Sequence, residues 1–206
     1  MANTSAPFGF RQVSGTGSSP TYEQVTRFTA YNTANIFLND PVFTGSDGSI
    51  QGITTGPGPG TAAIAGIFAG CKYPSIANKR TVWSNYWPGS DVASTNTVES
   101  YIINDPTAQF VVQSGNSNTT AVTGFTTANI QLNAQFSYGT GNTSNGISGA
   151  FLDIYVTPAT TTTLPFRVLG LVTSPPGAPG TASGAFNLVQ VGFNNVETRS
   201  LQSTNA

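Results

Sequence analysis

The sequence contains no histidine, a single cysteine and few charged residues. Without histidine the chain cannot build a Ser-His-Asp triad or a Cys-His pair, and it lacks one of the commonest zinc ligands. Cys71 has no second cysteine for an intrachain disulfide, so the disulfide framework that is typical of small secreted domains is absent. Its neighbours in residues 65–70 are small and apolar, which predicts a buried, unreactive thiol.

Acidic residues are also few, and they are scattered along the chain. A glycosidase-type pair could still form among Asp40, Asp47, Asp91, Glu99, Asp105, Asp153 and Glu197. Asp153 is the strongest candidate, because it lies in mid-strand opposite an apolar face; the alternative is a surface or hydrogen-bonded aspartate. A calcium loop needs clustered acids, and these are scattered. A phosphate-binding loop needs backbone N–H donors, and the prolines that alternate with glycines in residues 56–60 remove them. We therefore predict no catalytic residue, metal or cofactor, and a protein that is not an enzyme.

The low charge has a consequence for the surface. Seven Lys+Arg and eight Asp+Glu make up 7% of the chain, against roughly a quarter in ordinary soluble domains. Thr, Ser, Asn, Gln and Gly fill the polar positions, and these residues cost little to desolvate when another protein covers them. The composition favours a surface used in an assembly; the alternative is a secreted or tail-like β-protein with a neutral surface.

The two ends of the chain differ from its middle. Residues 1–19 and 198–206 are polar and lack periodicity, which predicts an extended N-terminal arm and a C-terminal tail around a domain at 20–197. The first seven residues show neither the basic nor the apolar part of a signal peptide, and no apolar run approaches the ~18 residues of a membrane span. We expect synthesis in the cytoplasm without export, and no membrane partner.

Strand patterns dominate the region between the ends. Residues 130–138 alternate apolar and polar side chains, as do residues 150–156, and both patterns are typical of half-buried strands. Further strands are predicted at 24–30, 35–43, 63–73, 80–87, 98–104, 109–114, 166–172 and 186–193. Turns are predicted at Asp47-Gly48, 139–149, 160–163 and 175–180. The fold prediction is a single all-β domain, an antiparallel β-sandwich or jelly roll with extended terminal arms.

One segment, residues 70–90, concentrates aromatic and basic side chains. It contains both tryptophans, Trp83 and Trp87, and three of the seven basic residues. Three interpretations stay open: packing in the core or at a protein interface, stacking of carbohydrate, or nucleic-acid binding. Direct nucleic-acid binding is disfavoured, because the chain carries a net charge of −1 and has no excess of basic residues.

The same segment carries a resemblance to a known group of proteins. Gly70-Cys71-Lys72-Tyr73 and residues 79–90 (KRTVWSNYWPGS) resemble small virion structural proteins of tailed double-stranded-DNA bacteriophages. Residues 6–11 (APFGFR), 140–143 (TGNT), 146–149 (GISG) and 164–167 (LPFR) resemble the same group.

The resemblance implies a capsid decoration (cement) protein on the outside of the virion, which bridges neighbouring capsomers. Its implied partners are the major capsid protein and further copies of itself, as a dimer or trimer. The residues that we predict at an interface are Phe8, Phe10, Arg11, Lys79, Arg80, Trp83, Tyr86 and Trp87. An alternative is a tail- or fibre-associated adhesin that binds host glycan through Trp83, Tyr86 or Trp87.

Overall fold

The computed structural model describes residues 3–15, 24–29, 34–52, 63–93, 98–118 and 123–198. Strands are almost the only regular secondary structure of these residues, which also include one turn of 3-10 helix at Thr127–Asn129. The strands are β1 (Arg11–Ser14), β2 (Gln24–Thr29), β3 (Pro41–Thr44), β4 (Ile50–Gln51), β5 (Gly66–Ser75), β6 (Arg80–Ser84), β7 (Val98–Ile103), β8 (Gln109–Gly115), β9 (Asn133–Tyr138), β10 (Ala150–Asp153), β11 (Phe166–Leu171) and β12 (Leu188–Phe193). The all-β prediction is confirmed.

The strands form two six-stranded sheets, and each sheet closes on itself. In the first sheet β8, β10, β9, β11 and β12 follow one another, β12 pairs back onto β8, and β1 adds to β8. In the second sheet β3, β4, β2, β7 and β5 follow one another, β5 pairs back onto β3, and β6 extends β5. Most pairings are antiparallel, but β8–β10 and β2–β4 are parallel. The arrangement is therefore a barrel-like sandwich.

Side-chain alternation along three strands joins the two sheets. Val42, Phe68 and Ile102 point into a core inside the second sheet. The adjacent residues Phe43, Ile67 and Ile103 belong to the core of the first sheet. Because successive side chains of a strand point to opposite faces, β3, β5 and β7 serve both cores at once.

Aromatic side chains fill the larger core. Phe10 stacks on Phe166 with ring centroids 4.1 Å apart, and Phe136 meets both rings edge-on. All three side chains are fully buried. Burial of one such side chain contributes about 1.5–3 kcal/mol relative to leaving it in water.

The predicted strands and turns mostly match the structure, with differences in length. The strand predicted at 130–138 begins only at Asn133, because Gln131 has a positive φ of 70° and ends the preceding turn. The turn at Asp47-Gly48 is confirmed, with the Ser49 N–H donating to the Asp47 Oδ1 at 3.0 Å. The short strands β1 and β4 were not predicted, and the loop at 56–60 lies outside the described residues.

The predicted N-terminal arm needs correction for the described residues 3–14. Strand β1 pairs with β8, and Phe10 is fully buried in the larger core. Asn3 donates to the carbonyls of Ala182 and Ala185 at 2.8 and 2.9 Å. This segment is thus an integral strand of the domain, because it supplies an aromatic side chain to the core. Of the predicted C-terminal tail, only Thr198 is described.

A search for membrane-spanning helices over the described residues found no helix long and apolar enough to cross a bilayer.

Candidate docking surface

The aromatic and basic segment forms the β5–β6 hairpin. Its strands are joined by a four-residue turn, and Ser75 pairs with Arg80 across the turn. Residues 76–80, which we term the hairpin tip, are all exposed, and Ile76 exposes 57% of its surface. Lys79 adopts a positive φ of 51°, which reverses the chain within this short turn. The tip thus presents one large apolar side chain, Ile76, and two cationic side chains, Lys79 and Arg80, to solvent.

Asp91 holds the hairpin tip in place. Its Oδ1 accepts the Ala77 N–H at 3.0 Å, and its Oδ2 accepts the Ser75 hydroxyl at 2.5 Å. The Asp91 carbonyl accepts the Ile76 N–H at 3.1 Å, and the Ser75 hydroxyl oxygen accepts the Asn78 N–H at 3.0 Å. These bonds hold the tip in one conformation.

A row of four side chains crosses the outer face of the second sheet. Trp83 on β6 pairs with Lys72 on β5, Lys72 pairs with Glu99 on β7, and Glu99 pairs with Phe28 on β2. We term these four residues the aromatic row. Trp83 and Phe28 at its ends are 68% and 59% exposed. The Lys72 Nζ lies 3.3 Å from the Glu99 Oε2 and 5.5 Å from the Trp83 ring centroid.

The remaining aromatics of the segment point elsewhere. Trp87 is fully buried, with its ring 5.0 Å from the Tyr73 ring in an edge-on contact. Tyr86 is half-buried and stacks on Phe37, with ring centroids 5.7 Å apart. Trp87 therefore offers no side-chain surface to a partner, in line with the core-packing interpretation of the segment.

The predicted interface residues near the N-terminus lie just before β1 or at its first residue, and β1 belongs to the first sheet. Phe10 is fully buried and cannot contact a partner through its side chain. Phe8 is half-buried, and its carbonyl accepts the Asn39 side-chain amide at 3.2 Å. Arg11 is exposed on β1. The structure therefore brings Lys79, Arg80 and Trp83 together on one hairpin and leaves Arg11 on a different sheet.

Asp153, the strongest catalytic candidate of the sequence, is buried and fully engaged in hydrogen bonds. Its Oδ1 accepts the N–H groups of Ser117 and Tyr155, and its Oδ2 accepts the Ser137 hydroxyl and the Gln135 amide. Burial alone would raise the pKa of Asp153, but these bonds outweigh it and hold the pKa below the ordinary value of 3.8. The carboxylate ties β10 to β9 and to the chain after β8.

Asp40 is also a buried carboxyl, but its environment raises its pKa, whereas the environment of Asp153 lowers the pKa of that residue. It accepts the Phe37 N–H at 2.7 Å and the Ser148 hydroxyl. Burial raises the pKa of Asp40 to about 7, although both hydrogen bonds act to lower it. The neighbouring Tyr138 donates to the Pro41 carbonyl, and burial followed by the Asp40 charge raises the pKa of its phenol well above its ordinary value.

The other described acids and Cys71 have structural partners. Asp47 and Asp105 each accept the backbone N–H two residues onward, and Glu197 lies 3.8 Å from Arg27. Among the described residues, no cluster of three or more histidine, cysteine or acidic side chains could hold a metal ion. Cys71 is buried as expected, and burial raises the pKa of its thiol to about 12.

Sequence reasoning missed Phe28 and Glu99 as members of the surface. Each is ordinary in its own strand, and only the register across four strands places them beside Lys72 and Trp83. One local signal for an exposed aromatic was present in β2. Phe28 is an apolar residue between polar neighbours, in the sequence Thr26-Arg27-Phe28-Thr29.

Comparison of the chain with protein-family models, with curated proteins and with solved structures found no match.

Proposed function

We propose that this protein is a virion structural protein that binds the outside of a phage capsid and stabilises it by bridging capsomers. The observation that carries the proposal is the hairpin tip, where Ile76, Lys79 and Arg80 are exposed on a turn held by Asp91. An exposed apolar side chain flanked by cations is suited to docking on a protein surface that offers a pocket and carboxylates. The resemblance of residues 79–90 to phage virion proteins supports the choice of a capsid shell as that surface.

The low charge of the chain supports the same function. With 7% charged residues, most contacts to the shell would be made by apolar and hydrogen-bonding groups, and the tip cations Lys79 and Arg80 would supply the few charged ones. A clamp of this type needs no chemistry. It binds the intact lattice and not the opened one, so it stabilises the shell by mass action. Repetition over symmetry-related sites adds avidity to each modest contact.

The test is reconstitution on shells that lack the protein. We expect undecorated shells to assemble but to release DNA at a lower temperature or after a milder osmotic shock, and added protein to restore resistance. If decorated and undecorated shells fail under the same stress, the cement function is wrong.

Charge reversal at the tip provides the matched variants. Lys79→Glu and Arg80→Glu should each reduce shell binding, because both side chains lie on the tip and are exposed. Arg167→Glu makes the same charge change at an exposed position of the first sheet and should bind like wild type. Equal loss in all three variants would indicate a non-specific charge effect and would contradict the role of the tip.

A second candidate function, glycan binding by an adhesin, is favoured by the exposure of Trp83. Its ring is 68% exposed and can stack on a sugar face, whereas Trp87 is buried and Tyr86 is covered in part by Phe37. Binding to a glycan array that Trp83→Ala abolishes, together with no effect on shell stability, would favour the adhesin over the cement.

A further inference from the structure

We infer that the aromatic row is a self-complementary face on which a second copy of this chain docks. The row reads Trp83, Lys72, Glu99, Phe28 from β6 to β2, with an exposed aromatic at each end and opposite charges in the middle. Docking of two copies and binding of a shell are separable, because the first uses the row and the second uses the hairpin tip.

The order of the row determines how two copies meet. A two-fold axis parallel to the strands, passing between Lys72 and Glu99, reverses the row of the second copy over the first. Trp83 then faces the Phe28 position of the other copy, and each lysine faces a glutamate. The contact is isologous, so every favourable pair occurs twice.

The alternative face-to-face axis, perpendicular to the strands, is disfavoured by charge. It places each residue opposite its own copy, so that Lys72 meets a lysine and Glu99 meets a glutamate. Like charges brought together at an interface repel each other, whereas the reversed row brings only opposite charges together. The sequence of the row therefore selects one orientation.

The dimensions of the row predict a modest affinity. Its outer strands lie about 14 Å apart, three spacings of ~4.8 Å. A single row of this width covers much less area than the roughly 800 Å² per partner of a standard stable interface. We therefore expect weak, reversible dimerisation, with a dissociation constant on the order of 1–100 μM.

The experiment is sedimentation equilibrium of the full chain with charge-reversed variants. Wild type should show a reversible monomer–dimer equilibrium. Lys72→Glu alone and Glu99→Lys alone should each weaken the dimer at least tenfold, because each places like charges opposite one another. A mixture of the two variants should form a heterodimer, since one then offers only acids and the other only bases at the centre of the row.

Controls separate this inference from the capsid function. Lys79→Glu should dimerise like wild type while losing shell binding, and circular dichroism should show that Lys72→Glu and Glu99→Lys stay folded. Acrylamide quenching of the exposed Trp83 should decrease as wild type dimerises.

Two results would overturn the inference: a protein that is monomeric at every concentration, or a dimer that is unaffected by both single charge reversals. The second result would indicate pairing elsewhere, such as along the β6 edge. A mixture that stays monomeric would also overturn it.

Discussion

Trp83 and Trp87 lie four residues apart in the chain, and the fold places them in opposite environments. Trp87 has no exposed surface and meets the Tyr73 ring, whereas Trp83 is 68% exposed beside Lys72. The two residues therefore separate a structural role from a surface role within one segment.

Alanine substitution should reveal that separation. Trp87→Ala should lower the free energy of unfolding by about 3–5 kcal/mol, because it leaves a large cavity in the smaller core. Trp83→Ala should change it by no more than about 0.5 kcal/mol, as expected of an exposed position. Urea denaturation of both variants measures the difference. Equal destabilisation would mean that Trp83 is also part of the core.

The N-terminal segment should behave as part of the domain. Phe10→Ala should lower the free energy of unfolding by about 3–5 kcal/mol, because it removes a ring that stacks on Phe166. Val13→Ala, on the strand β1 that follows Phe10 and at a position that is 39% exposed, should have a small effect. Deletion of residues 1–14 should broaden or abolish cooperative unfolding. A truncated chain as stable as wild type would restore the interpretation of these residues as a separate arm.

Stability should peak at acidic pH. The folded state holds a proton on Asp40 up to about pH 7, whereas the unfolded state releases it near 3.8. The contribution of Asp40 to the free energy of unfolding is therefore complete below pH 3.8. It is lost as pH rises to about 7, at up to about 1.4 kcal/mol per pH unit. Asp153 has a lowered pKa, so its contribution is present above pH 3.8 and is lost as pH falls further. Both effects place the optimum near pH 4.

Asparagine variants test whether Asp40 causes the decline in stability above pH 4. Asp40→Asn should flatten the decline between pH 4 and 7, because the amide mimics the protonated carboxyl against Ser148. Asp47→Asn, in an exposed turn, should keep the decline. Urea midpoints measured from pH 3 to 8 provide the comparison, and an unchanged slope in Asp40→Asn would refute the assignment.

Removal of Asp91 should loosen the hairpin tip without unfolding the domain. Asp91→Ala deletes the acceptor of the Ala77 N–H and of the Ser75 hydroxyl, so the amides of residues 76–78 should exchange with solvent faster. Asp47→Ala removes the corresponding bonds in the turn before β4 and should leave exchange at the tip unchanged. Faster exchange throughout the chain would mean global destabilisation instead.

Local pattern was sufficient for most of the strands. The alternation in residues 150–156 predicted β10, and the Asp47-Gly48 pair predicted a turn that the structure contains, because side-chain period and turn chemistry are properties of neighbouring residues. Strand β1 was missed for the converse reason. It is short and polar except for Val13, and its pairing with β8 joins residues about a hundred positions apart in the chain.

The sequence by itself determined the fold class, the neutral surface and the lack of histidine chemistry, since these follow from composition and short-range pattern. Only the tertiary structure decided which aromatics are buried and which are exposed. Trp83 and Trp87 have similar sequence surroundings, and their exposure depends on which face of the closed second sheet each one reaches. The aromatic row depends on the register of four strands, β6, β5, β7 and β2, and register is fixed by the packing of the whole sheet.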